Sequence, residues 1–467
     1  KEKFFDRVEI LRDINGTNIN SSSDLISRLS SNADGDAILD LGLGNTVTFK
    51  GVSKEYLTYK HFDVLPSLEN ILEGTVNADL ISQTDSVQVL RGSTVPYSAY
   101  GDGNDLFLLN DNNERVFVQT GGEEVAADSS WVKGNHKSYF NDFVVVRSGD
   151  VTLHQISGSH GQFTNYRSDY IIVESSTPKE QIISQLPNLS DEFSINFDNG
   201  SLNIRMEIGQ NLDKSQIIVV EEIENIVTSG SGRDQVNGTN KNDLIIDLVP
   251  YETPSGYGGF YSGSDQFFSS AGDDLYYGGY SISGAGGYYR DEYNFTSDFG
   301  NDTIIDLKVS PQFDDASLDG RYLDLLFFEK YINDTNLVTA TDILNAASDN
   351  RNGEALFVIG NDTLLLNGVS INELSVGSIV TFDKISSTIV GTFAEDTDRS
   401  METIIGTSSN DRLQGSDNPF DRFTDGYDRL EGKGGNDLLI GGTNKSAFGG
   451  YAVDTYVFGD NSGNDQI

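Results

Sequence analysis

A chain of 467 residues with 72 acidic against 31 basic side chains carries a formal net charge of −41. At a pI of about 4.2 it repels phosphate, so nucleic acid and anionic membrane surfaces are poor partners and cations are its natural counter-charge. It has no cysteine, which excludes disulfides and thiolate metal sites, and no apolar run of about 18 residues, which excludes a membrane-spanning helix.

With 26 Phe, 21 Tyr and 37% hydrophobic residues the chain is too apolar for a disordered acidic tail, and 49 Gly against 8 Pro predict turns made by glycine. In chain order, residues 1–66 read as the end of a domain: Ser23-Asp24 caps a helix over LISRL, and strands follow in AILDL and TVTFKGV. The same order returns later. Thr341-Asp342 caps ILNAAS, then come ALFVI and GNDTLLLNGVSINEL (Gly360–Leu374), the counterpart of GNTVTFKGVSKEYL (Gly44–Leu57). TPKEQIISQL (Thr177–Leu186) and FSINFDNGSLNIRM make a third, more diverged copy. The other end of the unit also repeats, in LENILEGTVNADLI (Leu68–Ile81), in Ile223–Ile246 and in METIIGTSSNDRLQG (Met401–Gly415). These repeats place blocks at 1–66, 67–222, 223–397 and 398–467, the outer two incomplete, with GNDQI at Gly463–Ile467 falling in mid-motif.

Within the blocks runs a ladder of aspartates. Asp234 and Asp243, Asp265 and Asp274, and Asp428 and Asp437 are each nine residues apart. Whole series superpose: Asp265, Asp274, Asp291 and Asp302 become Asp428, Asp437, Asp454 and Asp465 under one offset of 163 residues. Neighbouring words keep step, GGYYRDEYNF with GGYAVDTYVF and FGNDTI with SGNDQI. The best single turn is GKGGNDLLI (Gly432–Ile440), with glycines at the bend, an aspartate in sixth place and an apolar residue flanked by two others.

That nonapeptide resembles the haemolysin-type calcium-binding repeat of the RTX family of secreted bacterial proteins. The resemblance implies a mainly β fold of tandem modules, each a short parallel β-roll with a β-rich companion part carrying one short helix. In such a roll two nonapeptides make a coil, and glycine turns let carbonyls and aspartates of successive coils converge on Ca2+, a cation that takes six or more hard oxygen donors. The ligands it implies are Asp234, Asp243, Asp265, Asp274, Asp291, Asp428, Asp437 and Asp454, with Asp411 and Asp79 in the first turn of their blocks. In block 67–222 only YGDGNDLFL, with Asp102 and Asp105, keeps the pattern, so that block is a degenerate module binding less calcium or none. Asp302 and Asp465 follow by eleven residues and are expected to begin a flanking strand or close an Asx turn. Ser, Thr, Ala or Tyr replace Gly in several turns, which predicts short rolls interrupted by loops.

The four histidines, His61, His136, His154 and His160, form no HExxH, and GxSxG is absent, so no enzyme is expected in this segment. Tyrosine-rich stretches at 254–266, 278–289 and 446–451 fit either contacts with copies of the chain or glycans, or loops packed on their own roll. The expectation is an extracellular, cell-surface structural protein, a surface-layer, adhesin or filament subunit exported by a type I system and folding on Ca2+ after secretion. The alternative is the repeat region of a secreted polysaccharide-modifying or lipolytic enzyme, or of an RTX toxin, whose active domain lies elsewhere.

Overall fold

The computed structural model describes residues 8–11, 14–19, 21–58, 61–65, 71–73, 80–82, 89–91, 106–109, 115–117, 143–156, 169–186, 192–206, 212–229, 234–247, 265–279, 290–309, 323–390, 401–415, 427–441 and 454–467. The chain divides into two compact units, Lys1–Val220 and Glu221–Ile467. The fold is mainly β, with parallel sheets wound as rolls. No helix among the described residues is long and apolar enough to cross a membrane.

In the second unit, short strands alternate between two sheets, so the chain winds as a flattened coil. One sheet holds Asn225–Ser229, Asp243–Asp247, Leu275–Tyr277, Asn301–Ile304 and Asp362–Leu366, all parallel. The other holds Gln235–Asn237, Gln266–Phe268, Glu292–Phe295, Leu325–Glu329 and Ile379–Phe382, again parallel. Parallel neighbours need a crossover, and the half-coil in the opposite sheet supplies it. Alternate side chains face the interior. Phe267, Tyr276, Tyr293, Phe295, Leu326 and Phe328 meet there, with Phe267 stacked on Tyr293 at 5.1 Å and Phe295 on Phe328 at 5.2 Å. Those spacings follow from the strand separation of about 4.8 Å, because each ring sits on its counterpart one coil away.

After Leu325–Glu329 the chain leaves the roll for a short helix, Ala340–Asn345, and an antiparallel hairpin, Ala355–Ile359 with Asp362–Leu366, whose second arm rejoins the roll sheet beside Asn301–Ile304. Sequence reasoning put the helix cap at Thr341. The cap is Thr339, whose hydroxyl accepts the Asp342 N–H at 3.1 Å while the Asp342 carboxylate accepts the Thr339 N–H at 2.9 Å. The first helix shows the same displacement: Ser21, not Ser23, caps Ser22–Ser27 through Asp24. In both, the reciprocal pair needs its hydroxyl three residues ahead of the carboxylate, and that spacing overrides proximity to the apolar run.

A second roll follows. Ser387–Val390, Asp411–Gln414 and Leu438–Ile440 form one sheet, and Met401–Ile405, Tyr427–Glu431 and Thr455–Val457 the other, around Ile404, Leu413, Leu430 and Leu439. Its outer face packs on the first roll through Leu438 against Phe327 and Phe382, and through Arg412.

In the first unit, residues 71–220 repeat the topology. Strands from Ile71–Glu73 to Tyr170–Glu174 alternate between two parallel sheets, and the chain then makes the short helix Lys179–Ile183. The hairpin Glu192–Phe197 with Gly200–Met206 rejoins a roll sheet beside Gly149–Ile156. Residues 8–65 carry the companion part alone: the helix Ser22–Ser27, the antiparallel strands Leu29–Ser31, Ala37–Asp40 and Thr46–Phe49, and a parallel pair of Val8–Leu11 with Phe62–Leu65. The tyrosine-rich stretches lie almost wholly outside the described residues.

Candidate functional site

Aspartates line both edges of each roll, where turns enter strands. On one edge of the first roll the main-chain N–H of each donates to the carboxylate one coil later: Asp234 to Asp265 at 2.8 Å, Asp265 to Asp291 at 3.0 Å and Asp291 to Asp324 at 2.9 Å. On the opposite edge Asp243 donates to Asp274 at 2.8 Å and Asp274 to Asp302 at 2.9 Å. The second roll repeats both columns, Asp428 to Asp454 at 3.2 Å on one edge, Asp411 to Asp437 at 2.8 Å and Asp437 to Asp465 at 3.0 Å on the other. Aspartates nine residues apart therefore stand on opposite edges, and the true neighbours are one coil apart.

Asp302 and Asp465, expected from their eleven-residue spacing to begin a flanking strand or close an Asx turn, stand in these columns, and Asp302 does so at the start of the strand Asn301–Ile304. The two extra residues are absorbed in the turn, and Leu275 pairs with Thr303, which places Asp302 one coil beyond Asp274. Asp324 was missed altogether; its signal is an aspartate immediately ahead of LDLLFFE's apolar run, as Asp291 stands ahead of EYNF. Asp79, Asp102 and Asp105 lie outside the described residues.

Each ladder bond uses one carboxylate oxygen. What the second oxygen meets divides the columns into closed and open turns. Ser270 Oγ donates to Asp274 Oδ2 at 2.8 Å and Thr407 Oγ1 to Asp411 Oδ2 at 2.8 Å, while Thr239 Oγ1 donates to Asp243 Oδ1 at 3.0 Å; the Thr239 and Thr407 N–H groups also donate to Oδ2 of Asp243 and Asp411. Each hydroxyl stands four residues before its aspartate. In GKGGND that position is Lys433, which carries no hydroxyl, and Asp437 Oδ2 is buried with no hydrogen-bond partner among the described residues. Asp265 Oδ2 and Asp465 Oδ2 are left in the same condition. The turn nearest the nonapeptide pattern is thus one whose carboxylate remains open.

Burial makes the open oxygens costly. Asp265, Asp274, Asp291, Asp302 and Asp437 are each no more than 1% exposed. Burial is the main reason that the carboxyls of Asp274 and Asp437 are pushed up to about 6, and that Asp265 and Asp302 lie well above the carboxylate range, Asp265 also feeling Asp247 and Asp291. These sites favour either a proton or a positive charge placed beside the carboxylate.

The turn glycines leave room beside those oxygens. A Cβ on Gly432 would fall on Asp437 Oδ2, well inside van der Waals contact, and one on Gly441 would fall on Asp454 Oδ2. Gly278 repeats the arrangement, its Cβ position 2.7 Å from Asp291 Oδ2. Gly300 and Gly463, both at φ +85°, are packed so tightly on the carbonyls of Gly272 and Gly435 that no side chain fits. No group of three or more acidic or His side chains among the described residues makes a cation cage by itself. The donors that fit are single carboxylate oxygens from successive turns together with turn carbonyls. An all-oxygen set with buried, unsatisfied anions suits Ca2+.

Fold and site together define a parallel β-roll with aspartate columns along its edges. No family model matches the chain, and no curated protein matches it. Among solved structures, the extracellular lipase LipA from Serratia marcescens aligns over 64% of this chain and 45% of its own, at 13% identity and a TM-score of 0.18. The chain thus spans less than half the length of that lipase, and an overlap so low bears neither on fold nor on function.

Proposed function

We propose that this chain is an extracellular calcium-binding structural protein built from RTX-like modules, whose rolls order when Ca2+ enters the open turns. The observation that carries this reading is the set of buried carboxylate oxygens, Asp265 Oδ2, Asp437 Oδ2 and Asp465 Oδ2, left without partners among the described residues, with Gly432 directly beside Asp437 and Gly463, in the Asp465 turn, stacked on Gly435. Asp437 and Asp465 with the turn carbonyls would hold an ion in the second roll, and Asp265 with Asp247 would do so in the first. The bound ion supplies the positive charge that lets these carboxylates stay ionised in the interior. Folding and metal binding are then one equilibrium.

The companion hairpins and repeated modules support a scaffold role, as a surface-layer, adhesin or filament subunit meeting copies of itself or glycans. Export through a type I system and ordering in extracellular calcium belong to the same reading, as does the absence of catalysis. Equilibrium dialysis against calcium tests the site. The double substitution Asp428→Ala with Asp437→Ala is expected to lower the number of ions bound per chain; an unchanged stoichiometry would remove the ligand assignment.

A further inference from the structure

One gap in the aspartate columns already contains a cation. Lys308 lies just after the strand Asn301–Ile304, and its side chain is 12% exposed. Its Nζ sits 3.1 Å from Asp291 Oδ2 and 3.8 Å from Asp324 Oδ1, while its own N–H donates to Asp324 Oδ2 at 2.8 Å. Asp306 faces the same space, anchored by the N–H groups of Gly278 and Gly279 at 3.0 Å each. Burial works against the ammonium, but Asp291, Asp324 and Asp306 outweigh it and hold Lys308 above the ordinary lysine range. Arg290 is the other positive charge near Asp324.

The preceding gap on this edge is different. There Asp247 and Asp265, both fully buried, each present an Oδ2 with no partner among the described residues, and no described lysine pairs with either. Asp247, Gly278 and Asp306 are equivalent positions on three successive coils, since Ile245 pairs with Tyr276 and Tyr276 with Ile304. The two gaps therefore present the same kinds of group, carboxylates from the strand end and from the column. They differ in that one is filled from within the chain.

We infer that Lys308 is a tethered substitute for a calcium ion, making the coil between Asp291 and Asp324 metal-independent while its neighbours require metal. This rests on the calcium reading proposed above. A covalently supplied charge costs no ion binding, so the coil is ordered before calcium arrives and serves as the seed on which the next turns close. The ammonium offers donors only along its own hydrogens, whereas Ca2+ gathers six or more oxygens, which explains why the Asp306 carboxylate is held by backbone N–H groups here.

The experiment is calcium stoichiometry, by equilibrium dialysis and native mass spectrometry, on the wild-type chain, on Lys308→Met and on Lys308→Met with Asp324→Asn. The single variant is expected to bind one more calcium than wild type, and the double variant, which removes one charge of each sign, to return to the wild-type number. Hydrogen exchange in ion-free buffer supplies a second readout: amides of Leu325–Glu329 are expected to stay protected in wild type and to lose protection in Lys308→Met. A single variant that takes up no additional ion, folded or not, overturns the assignment, and so does an extra ion retained by the double variant. Wild type that binds no calcium at all would instead defeat the reading of the other turns, a result distinguishable from either.

Discussion

Arg412→Met isolates the charged contact between the two rolls of the second unit, which stands beside the apolar patch of Leu438, Phe327 and Phe382. Arg412 Nη2 meets Glu292 Oε2 at 2.6 Å with the two side chains 3% and 5% exposed, and the guanidinium also bonds Asn294 and lies 4.9 Å from the centre of the Phe327 ring. Removing one member of a buried pair costs about 3–5 kcal/mol when the other charge is abandoned. Glu292 is not abandoned, because Gln266 Nε2 donates to it at 2.7 Å and Arg290 pairs with it at 3.2 Å. That places the ionic loss nearer 2 kcal/mol, and the desolvated cation–π contact adds about 1 kcal/mol. A total of about 3 kcal/mol corresponds to a fall of roughly 6–12 °C in the transition of a unit this size. The assay is calorimetric melting at saturating calcium, with Glu292→Gln and the double variant completing a cycle. The expected coupling energy is at least about 1 kcal/mol. A coupling below about 0.5 kcal/mol would refute the view that this pair contributes to joining the rolls and would leave the apolar patch of Leu438, Phe327 and Phe382 to hold them together.

Gly432→Ala drives a methyl into Asp437 Oδ2, so calcium affinity is expected to drop with a stability loss of about 1–3 kcal/mol, read by titration calorimetry and melting. Thr407→Val removes the hydroxyl donor to Asp411 Oδ2 and leaves that oxygen the Thr407 N–H alone; a loss of about 0.5–1.5 kcal/mol in ion-free buffer is expected, smaller when calcium is present. The ion-free fold is expected to lose stability as pH rises. Asp274 and Asp437 titrate near 6 when folded and near 4 when unfolded, so the folded state holds more protons between those values and loses stability as pH rises through them. Dialysed protein is therefore expected to melt higher at pH 5 than at pH 7.5, and saturating calcium to remove that advantage; a melting temperature that rises with pH in ion-free buffer would contradict it.

The roll was legible in the sequence because its signals are local and repeated. GKGGNDLLI carries turn, ligand and inward residue within nine positions, and the offset of 163 residues between two ladders holds down to the paired glycines Gly278 and Gly441. What escaped depends on which turns neighbour each other in space. Asp324 stands 33 residues after Asp291, too far for a nine-residue ruler, yet the coil returns it to the same column. Lys308 gave no sign because a lysine after a strand is ordinarily a solvated surface residue, and only the stacked turns bring Asp291, Asp306 and Asp324 around it. The closing hydroxyls of Thr239, Ser270 and Thr407 were read simply as departures from glycine, although they decide which aspartates stay open. The helix caps were displaced by two residues because the reciprocal bond fixes its own spacing.

Calcium dependence of the folded state is the central claim, and near-ultraviolet circular dichroism with thermal melting tests it most directly. The buried Tyr276 and Tyr293 stand in the first roll's interior and report its packing. Millimolar calcium added to dialysed protein is expected to raise a fixed aromatic signal and the melting temperature together, and chelator to reverse both. Spectra and melting temperature unchanged by either addition would contradict the account.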